Sequence, residues 1–495
     1  MRFPSLLVSG AAASILGAAA CGPTVYVEGQ PGDSGAGGFG VPSGGFGASG
    51  NGAGDPTGGS GADPSGGSGA GTASGGTASG GTASSGSGGG GSSKAWAKGF
   101  GANGHQHLRG LVSDQDGNVI AVGSFDGVMD VGSGPLPQMG LRSGFVVKLD
   151  AKGKMLWSQT LTAGDCAAEA VSLSTADEVL ITGFVKGSLT VGTKQIPGGD
   201  GIFVVKLDAK TGAPSWTHTY GSSTGMQADR GLSIAGRLDG GALVSGSFAG
   251  SLDLGTGPLP STSGVFVLAL DDAGTSLWAK ALAGKTAFVA ASPSGHAIVA
   301  TNTENNVMTA LDLDAAGASQ WSHTYSPGTF AAVSVDATGN PLFVGSTKTA
   351  DFGGGPLPSP LPSGEAFLVS LDPTGKHRFT RGLPFEDFQS SAAALTVNGT
   401  TTAVTGSYVH HVDPSTPIQS AFMVTFDAAG TKLKSQTFGP TDGLGGKVTQ
   451  AGVGLAPAPE GAFYFGGDFY TAINVAGKKL TGEGTSDVFV ARLAP

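Results

Sequence analysis

Two histidine pairs stand close in the chain, His105-Gln-His107 and His410-His411. Alternation along a strand would put His105 and His107 on one face, where a metal ion could use them. No cysteine or third histidine stands at ligand spacing, so solvated loop histidines are the expected reading. Six aspartates, Asp150, Asp208, Asp271, Asp314, Asp372 and Asp427, could form a carboxylate set for acid–base or cation chemistry. Each stands just ahead of a glycine in a short polar stretch, a placement that suits side-chain bonds to a turn backbone. Cys166, between Asp165 and Glu169, could suggest a thiol nucleophile or a ligand. Acidic neighbours raise a thiol pKa, which predicts a structural loop cysteine. Asp114-Gln-Asp-Gly-Asn118 begins like a calcium loop but lacks the third ligand pair and the distal glutamate, leaving a hairpin turn. No Ser/His/Asp constellation with a Gly-x-Ser-x-Gly elbow is readable, and the Gly-rich stretch lacks the Lys-Ser/Thr ending of a phosphate loop. No reaction is readable, and a protein that is not an enzyme is expected.

The elements that would position such residues are repeats. Phe145-Val-Val-Lys-Leu-Asp-Ala-Lys-Gly-Lys-Met-Leu-Trp157 recurs from Phe203, Phe266, Thr309, Phe367 and Phe422, and in shortened form from Phe489. Each copy reads as an apolar strand, a turn and a second strand opening on an aromatic residue, a hairpin signature. The five tryptophans, Trp96, Trp157, Trp216, Trp278 and Trp321, share one phase, and Phe379 takes that place in the next copy. The first unit adds a strand at Leu108–Ser113, a turn at Asp114–Asn118, a strand at Val119–Phe125 and a long loop from Asp126 to Ser143. Runs such as Val119–Val122 and Val179–Ile181 are apolar at consecutive positions, so both faces of these strands should be buried. A four-stranded antiparallel sheet covered on both faces by copies of itself is a propeller blade.

The fourth unit is reduced. Ala297–Met308 lacks the long loop that elsewhere carries Gly-Pro-Leu-Pro, at 134–137, 257–260 and 355–358. Trp96–Phe100 reads as a lone last strand and Phe489–Leu493 as a third strand without a successor. Pairing them makes one composite blade and removes the open sheet edges. The expectation is an all-β, seven-bladed propeller over 94–495, closed by its N- and C-terminal strands. Ligands of propellers usually lie at one channel mouth, near loops joining an outermost strand to the next innermost one. Here those loops are expected to carry His107, Glu169, Asp229, Glu386 and Lys447, mixed in type.

The chain has 495 residues, a formal net charge of -10 and only 13% charged residues, without a basic cluster, which argues against a nucleic-acid partner. Residues 1–21 have one positive charge, a short apolar core and small residues before Cys21. They form an export signal too short to span a bilayer. The segment resembles a bacterial lipoprotein signal, which implies lipidation at Cys21, and Gly22 after it implies the outer membrane or cell surface. Cys166 then has no disulfide partner. Residues 22–93, mostly Gly, Ser, Ala and Thr, cannot bury enough surface to offset ordering entropy and read as a tether. A coil of roughly 65 residues reaches about 45 Å.

The repeat, Gly-Asn-Val-Ile-Ala-Val-Gly-Ser-Phe at 117–125 followed by Asp130-Val-Gly132, Phe-Val-Val-Lys-Leu-Asp and Trp157, resembles the bacterial seven-bladed β-propeller repeat (SBBP) family. That family implies export and a propeller but no defined activity. Leu207-Asp-Ala-Lys-Thr-Gly-Ala-Pro-Ser-Trp216 is similar to pyrroloquinoline-quinone (PQQ) repeats. The leading expectation is therefore a monomeric, lipid-anchored, non-catalytic binding scaffold without a cofactor, for a protein or glycan ligand. The alternative is a periplasmic quinoprotein-type enzyme using PQQ and calcium, or an outer-membrane assembly factor.

Overall fold

The computed structural model describes residues 94–494 apart from 197–198, 222–228, 358–363, 384, 386–388, 414–415, 440–449 and 484, and without the side chains of 410–413 and 416–417. The expected signal segment at 1–21, with Cys21, and the expected tether at 22–93 lie outside the described residues. Among those residues, the only helical piece is a single 3-10 turn at Pro459–Gly461. Everything else regular is strand.

The chain begins with β1 (Trp96–Phe100). Blade 1 follows as β2 (Gln106–Ser113), β3 (Val119–Phe125), β4 (Ser143–Leu149) and β5 (Met155–Thr162). Blade 2 is β6 (Asp165–Leu173), β7 (Val179–Lys186), β10 (Gly201–Leu207) and β11 (Pro214–Tyr220), with the hairpin β8 (Leu189–Val191) and β9 (Lys194–Ile196) inserted. Blade 3 is β12 (Arg230–Gly236), β13 (Ala242–Ala249), β14 (Ser263–Leu270) and β15 (Ser276–Leu282). Blade 4 is β16 (Thr286–Ala291), β17 (Ala297–Asn302), β18 (Met308–Leu313) and β19 (Ser319–Tyr325). Blade 5 is β20 (Gly328–Val335), β21 (Pro341–Thr347), β22 (Glu365–Leu371) and β23 (His377–Leu383). Blade 6 is β24 (Ser390–Asn398), β25 (Thr401–Asp413), β26 (Thr416–Phe426) and β27 (Lys432–Phe438). Blade 7 draws on both ends of the domain: β28 (Gln450–Pro457), β29 (Phe463–Phe469) and β32 (Asp487–Leu493) are completed by β1, while β30 (Ala472–Val475) and β31 (Lys478–Thr481) form a side hairpin.

The first strands β2, β6, β12, β16, β20, β24 and β28 touch one another in that order, and β28 touches β2. They form a closed inner ring, so the molecule is a seven-bladed β-propeller. Closure follows the predicted route. β1 pairs antiparallel with β32, from Trp96 opposite Arg492 to Phe100 opposite Val488. The consecutive apolar runs are buried on both faces, as all of Val119–Phe125 is in β3, because each sheet is packed between two others.

The repeat aromatics hold the blades together at the rim. Each tryptophan donates its indole N–H to a turn carbonyl of the following blade: Trp96 to Ala151 at 3.0 Å, Trp157 to Ala209 at 3.1 Å, Trp216 to Asp272 at 3.0 Å, Trp278 to Ala315 at 2.8 Å and Trp321 to Pro373 at 3.1 Å. The ring lies against the glycine of that same turn. A Cβ on Gly212, whose φ is +70°, would stand 2.7 Å from the Trp157 ring. Phe379 packs likewise against Gly430. Lacking an N–H, it is supplemented by Arg381, whose Nε donates to the Gly430 carbonyl at 2.7 Å. At the next seam the repeat position is Lys434. There β32 and β1 come from opposite ends of the domain, so blade 7 has no hairpin turn for an indole to cover.

One expectation needs correcting. The stretch after the second strand is not always a plain loop. In blade 2 it forms β8 and β9, and β8 pairs with the outer strand β5 of blade 1.

Candidate functional site

All seven innermost strands begin at one mouth of the channel, where the chain arrives from the preceding outermost strand. Every one of them except β16 carries a one-residue bulge near its start. The inserted residues are Arg109, Glu169, Leu232, Ala331, Ala393 and Val453. A bulge bends its strand and re-aims one side chain. It also brings a carbonyl close to the second strand. A Cβ on Gly123 would lie 2.0 Å from the His107 oxygen, and one on Gly467 would lie 1.8 Å from the Ala451 oxygen. The repeat therefore keeps a glycine opposite each bulge, whereas unbulged blade 4 has Thr301 there.

Charge occupies the bulge only in blades 1 and 2. Glu169 Oε2 is 3.5 Å from Arg109 Nε, and Oε1 is 3.7 Å from Nη1 of Arg230 on β12. One carboxylate, its side chain 3% exposed, thus links the inner strands of three consecutive blades. Beside it, Arg142 donates through Nε and Nη2 to the two oxygens of Asp165 at 2.9 and 3.0 Å. Arg142 and Arg230 stand 5.0 and 4.3 Å from the Phe184 ring centroid, within cation–π range. The hydrogen bonds to Asp165 hold the Arg142 pKa above its ordinary value. Burial lowers that of Arg230, with Glu169 opposing and the Arg142 and Arg109 charges adding to the shift. Both guanidiniums stay charged at any ordinary pH. A partly desolvated array of fixed cations and acids can recognise a carboxylate or a polar group by charge-assisted hydrogen bonds.

Of the residues expected at this mouth, Glu169 and Asp229 fall within or beside the cluster. Glu169 is inside β6 rather than on a loop. Asp229, buried next to Arg230, accepts the Ala249 N–H at 3.0 Å. His107 lies in β2, not in a solvated loop, with Nδ1 2.9 Å from Oδ2 of buried Asp468. The other oxygen of Asp468 accepts the Leu108 N–H at 2.7 Å. His105 stacks on His107 at 6.4 Å between ring centroids and faces Asp126 at 3.3 Å. Glu386 and Lys447, and the side chains of His410 and His411, lie outside the described residues. Among the described residues, no three His, Cys, Asp or Glu side chains converge as a metal site would need.

Cys166 is in β6 rather than a loop, fully buried, with Sγ 3.1 Å from the Leu161 carbonyl. Burial first, with Asp165 adding, pushes its thiol up to about 12, so it is no nucleophile at neutral pH. The six aspartates close turns as expected. Asp150 Oδ1 accepts the Lys152 and Lys154 N–H groups at 2.9 and 2.8 Å, and Asp427 Oδ1 those of Ala429 and Thr431 at 2.9 and 2.7 Å. Asp114 closes the first hairpin through the Asn118 N–H at 2.8 Å and pairs with Lys148 Nζ at 2.8 Å.

Sequence reasoning missed Arg109, Arg142, Asp165 and Arg230. A signal was available in part: Arg109 and Glu169 each precede a small residue at the same phase, and a glycine marks the opposing bulge site in the second strand.

Fold and mouth together define a seven-bladed β-propeller with one ionic sector in an otherwise mostly apolar row of bulges. No family model matches the chain, nor does any curated protein. Among solved structures, the chain is similar to a protein of unknown function from Bacteroides caccae at 14% identity, covering 72% of this chain and 99% of that one, with a TM-score of 0.36. It is also similar to the quinohemoprotein alcohol dehydrogenase of Comamonas testosteroni at 14% identity (80% and 76% covered, TM-score 0.36) and to the Dos1 propeller at 10% (80% and 94%, TM-score 0.39). The fold assignment rests on this chain's own strand pairing.

Proposed function

We propose that the protein is an exported, lipid-anchored binding scaffold of the SBBP type, held at the outer membrane or cell surface through Cys21. Its channel mouth engages a carboxylate-bearing protein or glycan. The observation supporting this reading is the Arg109–Glu169–Arg230 link across three blades, set against Leu232, Ala331, Ala393 and Val453 at the remaining bulges. Charge has been placed in one sector of a ring that otherwise needs none for packing. Among the described residues, no helix is long and apolar enough to cross a membrane, which suits an anchor outside the propeller.

The test is binding of uronate oligosaccharides and acidic peptides to the purified protein. Arg230→Ala should weaken binding at least tenfold in a protein that stays folded, although destabilised by the loss of one partner of Glu169. Equal affinity in the variant, or saturable binding of PQQ with calcium and of nothing else, would transfer the assignment to the quinoprotein alternative. For the anchor, Cys21→Ala should move the protein from membrane to soluble fractions, and a variant that still sediments with membranes would refute it.

A further inference from the structure

Six of the seven seams between blades are finished alike at the rim. The third strand of the following blade carries a buried phenylalanine facing the preceding blade: Phe145, Phe203, Phe266, Phe367, Phe422 or Phe489. The excursion between that blade's second and third strands adds cover, as Leu189 and Val191 do over the seam of blades 1 and 2 and Phe352 over that of blades 4 and 5. The seam between blades 3 and 4 has neither. Thr309 replaces the phenylalanine, opposite Thr301 in place of the glycine. The excursion shrinks to a tight turn closed by the Thr303 N–H on the Val307 carbonyl at 2.9 Å. The consequence shows in Leu282, at the end of β15. It is partly exposed, whereas the leucines at the same position in blades 1 and 5, Leu161 and Leu383, are 0% and 3% exposed; the tyrosines there in blades 2 and 4, Tyr220 and Tyr325, are partly exposed too.

Blade 1 shows what fits such a place. β8 lies antiparallel on β5, with Val191 opposite Leu161 and Thr190 opposite Thr162, and the Gly192 N–H donates to the Thr160 carbonyl at 3.0 Å. Ala281 and Ala283 stand after Trp278 where Thr160 and Thr162 stand after Trp157. Their backbone groups therefore face outward. Among the described residues no strand pairs with that edge of β15.

We propose that the rim between blades 3 and 4 is a docking groove for an extended strand of a partner polypeptide. The strand is apolar at alternate positions, as Leu189-Thr-Val191 is. It adds antiparallel to β15, so main-chain hydrogen bonds supply affinity and one apolar side chain lies over Leu282 and Thr309. A second copy of this chain fits less well, because pairing two β15 strands gathers Lys280 and Lys285 of both copies at one rim, and like charges oppose such a pair.

The probe is a labelled peptide with the sequence of residues 187–196, titrated into the intact protein. Saturable binding is expected, with hydrogen exchange slowed at Ala279, Ala281 and Ala283 and unchanged along β5. Ala281→Pro removes an outward N–H, which an edge position tolerates, and should weaken binding at least tenfold at unchanged melting temperature. Should that variant fold poorly, grafting residues 187–196 into the Thr303–Val307 turn covers the groove in cis and should abolish binding. The proposal is overturned by a lack of saturable binding, by protection appearing on β5 instead, by equal binding to a folded Ala281→Pro protein and the graft, or by a concentration-dependent dimer that Ala281→Pro dissolves.

Discussion

Glu169 is buried between guanidiniums of both neighbouring blades, Arg109 and Arg230. Taking away one member of a buried ion set leaves the rest uncompensated, typically at a cost of about 3–5 kcal/mol. Glu169→Ala should fall at the lower end of that range in urea unfolding, since Arg230 keeps about a third of its side chain in solvent. A loss below ~1 kcal/mol would mean that the arginines find water instead. The turn aspartates act in the opposite sense, from the surface. Hydrogen bonds hold Asp208, Asp314, Asp372 and Asp427 below the ordinary aspartate value, side-chain bonds from Thr211 and Thr374 leading for Asp208 and Asp372 and the Ala318 and Thr431 backbone N–H groups for Asp314 and Asp427. A depressed carboxyl contributes stability that is present above its unfolded pKa and lost as pH falls through the folded one. Melting temperature should therefore drop below about pH 4, and combined Asp→Asn changes at these four turns should flatten that limb. An unaltered acid limb would contradict this. Sequence made the turn role legible because each aspartate and its donors lie within four residues. It hid the mouth cluster because Arg109, Glu169 and Arg230 are about 60 residues apart, and only Arg109 and Glu169 share the bulge phase while Arg230 stands two residues ahead of its own.

At the scale of the element, the indole, the turn glycine and the turn carbonyl form one joint repeated around the rim. Trp157→Phe keeps the ring against Gly212 but loses the N–H donated to Ala209, and should cost about 1 kcal/mol. Trp157→Ala also loses the packing. It should cost less than the roughly 3–5 kcal/mol of a fully buried aromatic, because the ring is half-buried. Gly212→Ala should be destabilising from the other side, since its φ of +70° and the 2.7 Å approach of the Trp157 ring both exclude a Cβ. If Trp157→Ala and Gly212→Ala add as independent sites, the joint does not act as a unit. The tryptophan phase was readable at once, because every hairpin repeats it. The bulges were not, since an inserted residue leaves the hairpin spacing of the outer strands intact and shows only as a glycine in the second strand. The β8–β9 hairpin escaped for a related reason: its partner β5 belongs to the preceding blade, and strands of three residues are too short for alternation to declare itself.

At the scale of the whole molecule, stability depends on joining the two ends of the domain. β1 contributes all five of its residues to pairing with β32. Trp96 donates to Ala151 in blade 1 and lies 6.0 Å from the Tyr464 ring in blade 7. His107 and Leu108 of blade 1 meet Asp468 of blade 7 across the same join. Deleting residues 94–101 would strip Trp96 from its seam, expose the edge of β32 and leave blade 7 with three strands. A loss of several kcal/mol is a large part of the about 5–15 kcal/mol that keeps a domain folded, so the deletion should lower the urea midpoint sharply or unfold the protein. Truncation before Lys94 should be nearly silent, because it leaves every described contact of β1 in place. The register names a cross-link. Ala97 is opposite Ala491, both buried and small, and directly paired residues have Cα atoms about 4.5–5.5 Å apart, within the disulfide range. Ala97→Cys with Ala491→Cys should form an intramolecular disulfide under oxidation, raise the unfolding midpoint and run faster on non-reducing gels. Cys166 is too deeply buried to compete. If the two truncations unfold alike and no cross-link forms at this register or one residue either side, the ring is not closed by β1, and the molecule is an open array.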